Sequence, residues 1–557
     1  MSFPTPPKAA EPTSFEDIDK ALDRLDKAKD AWLLVTPEKR AILLRECLTD
    51  LLVLGDEWVA KSCLAKGLEK GQNEEGEEWI SNYMPVIRNI RLLIDAMKAN
   101  GQPKIPKLET RADGQVVATV FPDGLLDKLM LADTRAEVWI QKGKQATQGK
   151  IYREKQEKGM ISLVLGAGNQ HTIACMDLLY KLFVENEVVI LKMNPVNDYI
   201  GQYIIRSFRA LIEGNYLSIV FGGAEQGKYL CSHEKVDTIH ITGSAQTHDA
   251  IVWGTAENKA QGKKINERPI TSELGCVTPV AVVPGSWSDS DIDFQARQIV
   301  SMVMQNASFN CNAGKVVILP KNWDQTPKLE ERIQHHFKQK AARKAYYPGA
   351  ENRHQSFLEH YPDAIQFGDA KEQTLPWTLI PNVPPNENEY ALQNEAFCSI
   401  LAITHLDYTS VPDYLRKMVK FCNEKIWGSL STNILIHPST QKEFAKELDQ
   451  AIADLAYGTI AINCWNGLGY GLVSPTWGAF PKHTLEDIQS GIGVVHNSFL
   501  LDHPEKSVIY SPFIIKPTPA WFYDHKNLLP LGKALVAFEA KPSIWRLLGI
   551  LPKALKG

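Results

Sequence analysis

Cys311 is the residue of this 557-residue chain whose type and setting first point to chemistry. It sits in NASFNCNAGKVVILP, after a helical pattern and just before an apolar run that reads as a strand. Its neighbours Asn310, Asn312, Ala313 and Gly314 are small or polar, so the cysteine falls in a turn. A thiol there can be exposed and partly ionised, as nucleophilic catalysis requires. A buried, inert cysteine is the commoner use of the residue, and the position alone leaves both readings open. Glu273, in TSELGCVTP, lies where two series of strands and helices meet. A carboxylate at such a junction borders a cleft, where partial burial lifts its pKa toward a general-base value. The plain alternative is a solvated or helix-capping glutamate. Asn169, in LVLGAGNQH, follows an apolar run at the carboxyl end of a strand, where doubly wound sheets place ligands. Its amide could donate to a developing oxyanion or cap the next helix. Gly243 and Ser244, in HITGSAQTHDAIV, turn a strand into a helix whose first N–H groups face an anion such as pyrophosphate, or are simply capped by the serine. Lys192, ending EVVILKM, reads either as a ribose or phosphate ligand or as a solvated strand end. A G-x-G-x-x-G dinucleotide fingerprint is absent from the useful turns.

The elements that must position these residues follow from periodicity. Residues 15 to about 99 read as helices, with Leu43, Leu44, Cys47 and Leu51 at helical spacing. VVATVF (116–121) and AEVWIQ (136–141) read as strands within an otherwise irregular stretch. From 160 onward, short apolar runs alternate with helical segments: ISLVLG (161–166), EVVILKM (187–193), LSIVFG (217–222) and VDTIHIT (236–242), with helices near 172–184, 198–213, 224–232 and 245–257. A second series has PVAVVPG (279–285), KVVILP (315–320), ILAITHL (400–406) and TNILIHP (432–438), with helices near 290–306, 327–344, 411–423 and 440–456. This alternation predicts two successive parallel α/β units, their strands apolar throughout because helices cover both faces. Residues 345–393, rich in Pro, Asn and charge, read as surface loops, and residues 1–14 as a loose arm. GTIAIN (458–463) is a strand whose sheet the pattern does not name.

Bulk properties exclude several classes. The net charge of −4, with 44% apolar and 23% charged residues, fits a globular protein and implies no nucleic-acid partner. Nine cysteines with irregular spacing and no C-x-x-C pair point away from disulfides and metal, and toward a reducing, cytoplasmic setting. The N-terminus lacks a basic start with an apolar run, and no segment reaches the about 18 apolar residues of a membrane span. The last 27 residues carry Lys533, Lys541, Arg546, Lys553 and Lys556 against Glu539, interleaved with Leu535, Phe538, Ile544, Trp545, Leu548 and Leu551. Such a basic amphipathic tail packs on its own or a neighbouring subunit, lies on a membrane surface as a peripheral contact, or caps an apolar substrate tunnel. Pro542 and Pro552 break any single long helix there.

The order Asn169, Lys192, Gly243-Ser244, Glu273, Cys311, Glu395 resembles the aldehyde dehydrogenase superfamily. ELG (273–275) is similar to its E-L-G-G element, CNAG (311–314) to C-x-A-G, and ITGS (241–244) to its F-T-G-S turn. EAF (395–397) resembles the start of E-x-F-G-P, GTIAIN its G-x-v-x-x-N, and SPTWGAF (474–480) its S-P-f-G-G segment. The resemblance covers roughly residues 160 to 480. It implies an α/β, aldehyde-dehydrogenase-like fold: two doubly wound α/β domains plus a small oligomerisation extension. The expected division is 1–126, the helical part of the cofactor domain; 127–157, an oligomerisation hairpin; 158–276, the dinucleotide-binding domain; 277–457, the catalytic domain; 458–505, a return to the cofactor domain with an oligomerisation strand; and 506–557, the basic tail. Cys311 is implied to attack an aldehyde, with the Asn169 amide and the Cys311 N–H holding the oxyanion and Glu273 activating water. Lys192 and Glu395 are implied to hold the ribose units of NAD or NADP, Gly243-Ser244 a phosphate, and Phe397 to pack near the nicotinamide.

Departures from the family pattern matter. GAGNQH replaces P-W-N-F-P, which puts His171 where proline is usual; it is either a second ionisable group near the sulfur or an ordinary helix-start histidine. Pro195 removes a carboxylate or serine often found near the adenosine ribose, leaving NAD and NADP both open. Cys276 replaces a glycine, and Cys398 and Ser399 replace Gly-Pro. The expected reaction is oxidation of a small-molecule aldehyde, of medium or long chain if the tail lines its path, to a carboxylate by a homodimer or homotetramer. The alternatives are a coenzyme-A-acylating aldehyde dehydrogenase running as an acyl-CoA reductase, and a non-catalytic dinucleotide-binding relative.

Overall fold

The computed structural model describes residues 7–368 and 371–557. The helices Phe15–Leu33, Pro37–Lys66 and Met84–Lys98 open the chain. Local chemistry sets their ends. Ser14 accepts from the Asp17 N–H, Thr36 accepts from the Lys39 N–H ahead of Pro37, and Gly67 closes the second helix with left-handed backbone. Their apolar faces, including Leu22, Leu44, Leu51, Trp58, Ile87 and Ile90, share a core with the first sheet. The expected loose arm is tied down over its described part. The Ala10 N–H donates to Asp198 and the Thr13 N–H to the Phe221 carbonyl, because this segment runs beside the edge of that sheet.

The first sheet has six strands in the order Gly491–Ile492, Ile270–Leu274, Thr238–Gly243, Ile161–Leu165, Val188–Lys192, Leu217–Val220. All pairings are parallel except that of Gly491–Ile492. Ile270–Leu274 is a strand that the sequence presents only as a junction, since ITSEL sets three polar residues between its two apolar ends and so shows neither an apolar run nor an alternation. The expected helix 245–257 divides into Ala245–Val252 and Ala256–Ala260, with Gly254 in left-handed backbone between them.

The second sheet has eleven strands. Its parallel centre runs Pro504–Tyr510, Thr459–Ile462, Ser431–Leu435, Pro279–Val282, Val316–Pro320, Ile400–Leu406, Trp377–Val383. The strand in GTIAIN therefore belongs here, between Ser431–Leu435 and Pro504–Tyr510. Residues 345–393 are not only surface loops, as expected, but contain the helix Ala350–His360 and the strands Ile365–Phe367 and Trp377–Val383. Pro376, Pro381 and the run of Asn masked that pattern; Trp377, Leu379 and Ile380 are buried. Lys107–Thr110, Val116–Phe121 and Arg135–Ile140 pair antiparallel onto Pro504–Tyr510 within the same chain. The hairpin strands thus lie at 116–121 and 135–140, with the helix Leu125–Met130 in the connection. Lys506 fixes this addition from within. Its buried ammonium donates to the carbonyls of Ile452, Ala453 and Leu455 and so caps the helix Ala445–Asp454.

Only residues 275–278 link Leu274 in the first sheet to Pro279 in the second. Glu273 consequently ends one sheet within a few residues of where the other begins. The tail forms two helices, Leu528–Ala540 and Ile544–Ala554, with Pro552 inside the second. The first packs on the helices of residues 75–98, and a Cβ on Gly76 would lie 2.2 Å from the Leu528 carbonyl carbon. Among the described residues no helix is long and apolar enough to cross a membrane.

Candidate active site

Strand register places the expected site residues along one edge. Thr242 faces Glu273, Leu165 faces both Ile241 and Lys192, and all these strands are parallel. Their carboxyl ends therefore line up Glu273, Gly243, the turn bearing Asn169, and Lys192, where ligands bind in such sheets.

Cys311 follows an unusual turn. Asn306, Ala307 and Ser308 all have left-handed backbone, with φ of 52°, 52° and 69°. None is glycine, and each such residue costs about 1 kcal/mol or more. The surroundings over-determine the turn. The Asn306 N–H donates to Glu77 (3.0 Å), the Tyr346 hydroxyl donates to Asn306 Oδ1 (3.1 Å), and buried Lys315 donates to both oxygens of Ser308 (3.0 and 3.1 Å). The Phe309 carbonyl accepts from Asn306 Nδ2 and from Asn169 Nδ2, each at 3.0 Å. Asn169 is thereby fastened two residues from the cysteine. It is not the cap of the next helix; Thr172 occupies that position.

The sulfur departs from the expectation of an exposed, partly ionised thiol. Cys311 is half-buried, and burial first, then the charge of Glu273, push its pKa well above the ordinary range. The thiol is held protonated and hydrogen-bonded to Glu273. That carboxyl is itself lifted from 4.5 to about 7, chiefly by burial; hydrogen bonds from Cys311 and Trp477 pull down, and the charges of Asp177 and Glu395 push up. Trp477 Nε1 donates to Glu273 Oε1 at 3.2 Å. Among the described residues the Cys311 backbone N–H has no hydrogen-bond acceptor. The arrangement is an acid–base pair in which Glu273 can take the thiol proton, with amide donors at hand for a negative oxygen.

Glu395 and Phe397 approach the same place. A Cβ on Gly275 would lie 1.9 Å from Glu395 Oε2, so only glycine admits the carboxylate there. Burial lifts Glu395 to about 7, against the pull of Lys315, the Cys276 N–H and Arg353, and its Oε1 is buried without a partner. Phe397 has left-handed backbone, held by Arg353, which donates to the carbonyls of Ala396 and Phe397. Burial lowers Lys192 to about 8, with Asp198 opposing. Ser244 caps Ala245–Val252 by accepting from the Thr247 N–H, and both it and Gly243 are exposed. A free buried acceptor at Glu395, a buried ammonium at a strand end and an open helix start suit the hydroxyls and phosphates of a dinucleotide.

His171 turns away from the sulfur. Its Nδ1 accepts from Trp58 Nε1 (2.8 Å), which places its proton on Nε2, 3.1 Å from Glu78. Burial lowers its pKa, so the ring is neutral. Around it runs a buried network that the sequence gives no sign of. Lys66 pairs with Glu78 (2.9 Å) and donates to Gln170 (3.0 Å); Gln170 donates to Asn310 (2.9 Å), next to Cys311. Cys276 and Cys398 are buried, and burial lifts each to about 11.

The sequence of residues 145–361 matches the aldehyde dehydrogenase family. An N-succinylglutamate 5-semialdehyde dehydrogenase of Novosphingobium aromaticivorans is 24% identical over 194 residues, 34% of this chain and 39% of that protein. A D-glyceraldehyde dehydrogenase (NADP(+)) of Thermoplasma acidophilum is 27% identical over 170 residues, 30% of this chain and 31% of that protein. The chain thus spans less than two fifths of the length of these curated relatives. The fold is similar over most of the molecule to a gamma-glutamyl-gamma-aminobutyraldehyde dehydrogenase from Burkholderia cenocepacia, with TM-score 0.62, 16% identity and 89% of each chain covered. It is equally similar to a glyceraldehyde-3-phosphate dehydrogenase from Methanocaldococcus jannaschii complexed with NADP, with TM-score 0.62, 14% identity, and 92% of this chain and 99% of that one covered.

Proposed function

We propose that this chain, a divergent member of the aldehyde dehydrogenase superfamily, oxidises an aldehyde to a carboxylate through a thioester on Cys311, with NAD or NADP as acceptor. The observation that carries the reading is the contact between the Cys311 thiol and a Glu273 carboxyl lifted to about 7, beside an Asn169 amide bound to the same turn. Glu273 removes the thiol proton as the sulfur attacks the carbonyl carbon. The second N–H of the Asn169 amide and the backbone N–H of Cys311 donate to the oxyanion. A bound dinucleotide would supply the hydride acceptor for the carbon attached to sulfur. Glu273, having released its first proton to solvent, then takes one from water as that water attacks the thioester, and Cys311 leaves as thiolate. Lys192 and Glu395 would hold the ribose hydroxyls of the dinucleotide, Gly243 and Ser244 a phosphate, and Phe397 would pack against the nicotinamide.

The neighbours' names include semialdehydes and a glyceraldehyde, so the test begins with a panel of short polar and longer apolar aldehydes, each with NAD and with NADP. Formation of carboxylate with NAD(P)H supports the reading. Stopped-flow turnover of the acyl-enzyme, with water alone and with coenzyme A, separates hydrolysis from acyl transfer. Aldehyde formation from acyl-CoA and NAD(P)H, with no aldehyde oxidation, would overturn it.

A further inference from the structure

Seven of the sixteen large apolar side chains exposed among the described residues lie in one place: Leu125, Leu129, Ile544, Trp545, Leu548, Leu551 and Leu555. They come from two helices far apart in sequence that pack together. In the final helix, Ile544–Ala554, positions 544, 548 and 551, with 555 just beyond, form one stripe at helical spacing, beside Trp545, which is 80% exposed. The opposite face is apolar as well: Leu547, Ile550 and Ala554 pack with Leu531 and Phe538 of the preceding helix. The helix Leu125–Met130 does the same, turning Leu126 and Met130 inward and Leu125 and Leu129 outward. A helix apolar on both sides suits a second apolar phase, and among the described residues only its inner side is covered.

The charge around this face indicates what the second phase is. Lys541, Arg546, Lys553 and Lys556 lie within or beside the final helix and Lys128 within the helix Leu125–Met130, with Arg546 donating to the Ala537 and Lys541 carbonyls. Of the nearby acids, Glu539 is buried against Arg88 and Arg91, and Asp127 is turned to Arg88; Asp123 and Asp133 remain. The rim is therefore net cationic on a chain of net charge −4. Trp545 is the most exposed of the seven side chains, and tryptophan is the side chain favoured at the lipid headgroup level. The eleven-residue helix is about 16 Å long, half the thickness of a bilayer core, so it can lie in the interface and not span it.

We propose that the exposed face of the C-terminal helix, together with Leu125 and Leu129, docks the protein peripherally on an anionic lipid surface. The occupant is the lipid headgroup–acyl boundary, with the basic rim on the phosphates. The test uses the full chain in co-sedimentation with phosphatidylcholine vesicles, with and without phosphatidylglycerol. Binding is expected on the anionic vesicles, at least tenfold weaker on neutral ones, and weaker in high salt. Tryptophan fluorescence should shift to shorter wavelength with lipid. The double variant Trp545→Glu with Leu548→Glu lies at the surface and should keep its Tm and its turnover of a soluble aldehyde, yet lose vesicle binding at least tenfold. Absence of wild-type binding, or binding equal on neutral vesicles and unaffected by the double variant, overturns the proposal. So does a wild-type dimer, seen by light scattering, that the double variant splits while neither form binds vesicles; a second copy then covers the face. None of these outcomes bears on the chemistry at Cys311.

Discussion

The proposed reaction rests, at the level of single groups, on Glu273 and Cys311, and burial opposes the charged form of both. A carboxyl lifted from 4.5 to about 7 is stabler in the fold as the acid. Its contribution to stability is full below pH 4.5 and falls as pH rises through 7, by as much as about 3 kcal/mol. Glu395, also lifted to about 7, acts in the same direction. Glu273→Gln is therefore expected to raise Tm at pH 8 and leave it nearly unchanged at pH 4, measured by calorimetry at both. The same variant should lose about 10²–10⁴ in rate and accumulate an acyl adduct visible by mass spectrometry. Wild-type kcat/KM should rise with pH through a midpoint near 7, and this limb should vanish in the variant. Cys311→Ala should abolish turnover while dinucleotide binding, followed by titration calorimetry, persists; residual turnover would remove Cys311 from its role. The sequence makes these residues legible as types at spacings, but it does not show their ionisation. An exposed, partly ionised thiol is the natural reading of NCNAG, and only the surrounding core shows that burial and the Glu273 carboxyl push the thiol's pKa well above the ordinary range.

At the level of elements, the turn at 306–308 is strained and the buried network around it holds the strain. The Tyr346 hydroxyl bridges two of its anchors, its single proton shared between the Asn169 carbonyl and Asn306 Oδ1. Tyr346→Phe keeps the ring and removes both bonds. It should cost about 1–3 kcal/mol, because buried acceptors are left unpaired. A turn free to relax misplaces Cys311 against Asn169, so kcat should fall about tenfold with KM little changed. Equal loss in KM alone would mean that the network shapes binding and not the reacting geometry. Regular elements were readable where apolar residues ran unbroken, as in Val188–Lys192 and Val316–Pro320. Ile270–Leu274 and Trp377–Val383 were hidden because they mix polar residues or proline with apolar ones and owe their form to neighbouring strands. The network was hidden for a different reason. Lys66, Glu78, Gln170 and Asn310 meet only after the N-terminal helices dock on the first sheet, and no spacing within any one segment records that meeting.

At the scale of the whole molecule two connections bear on these parts: residues 275–278, one of several crossings between the sheets, and the tail helix Leu528–Ala540 laid over residues 75–98. The second connection reaches the site indirectly. Glu77 accepts from the Asn306 N–H and Glu78 belongs to the buried network, and both lie in the segment that the tail covers. Glu539 of the tail pairs with Arg88 at 2.9 Å and Arg91 at 2.6 Å, and Arg88 and Glu539 are both fully buried. Removing one partner of such a pair strands the other charge, at a cost of about 3–5 kcal/mol. Glu539→Gln should therefore lower Tm more than any surface substitution. Deleting residues 528–557 should lower it further, because Trp79 and the helix Met84–Lys98 lose their cover. The truncated chain should also lose turnover even where it remains folded, since Glu77 no longer holds Asn306. Deleting only residues 544–557 is the discriminating variant. It leaves the Arg88–Glu539 pair and the cover of residues 75–98 in place, so Tm should fall much less and aldehyde turnover should survive. A shorter deletion that abolished turnover as completely as the longer one would place the tail's influence in its last helix and sever the link drawn from Glu539 through residues 75–98 to the cysteine turn.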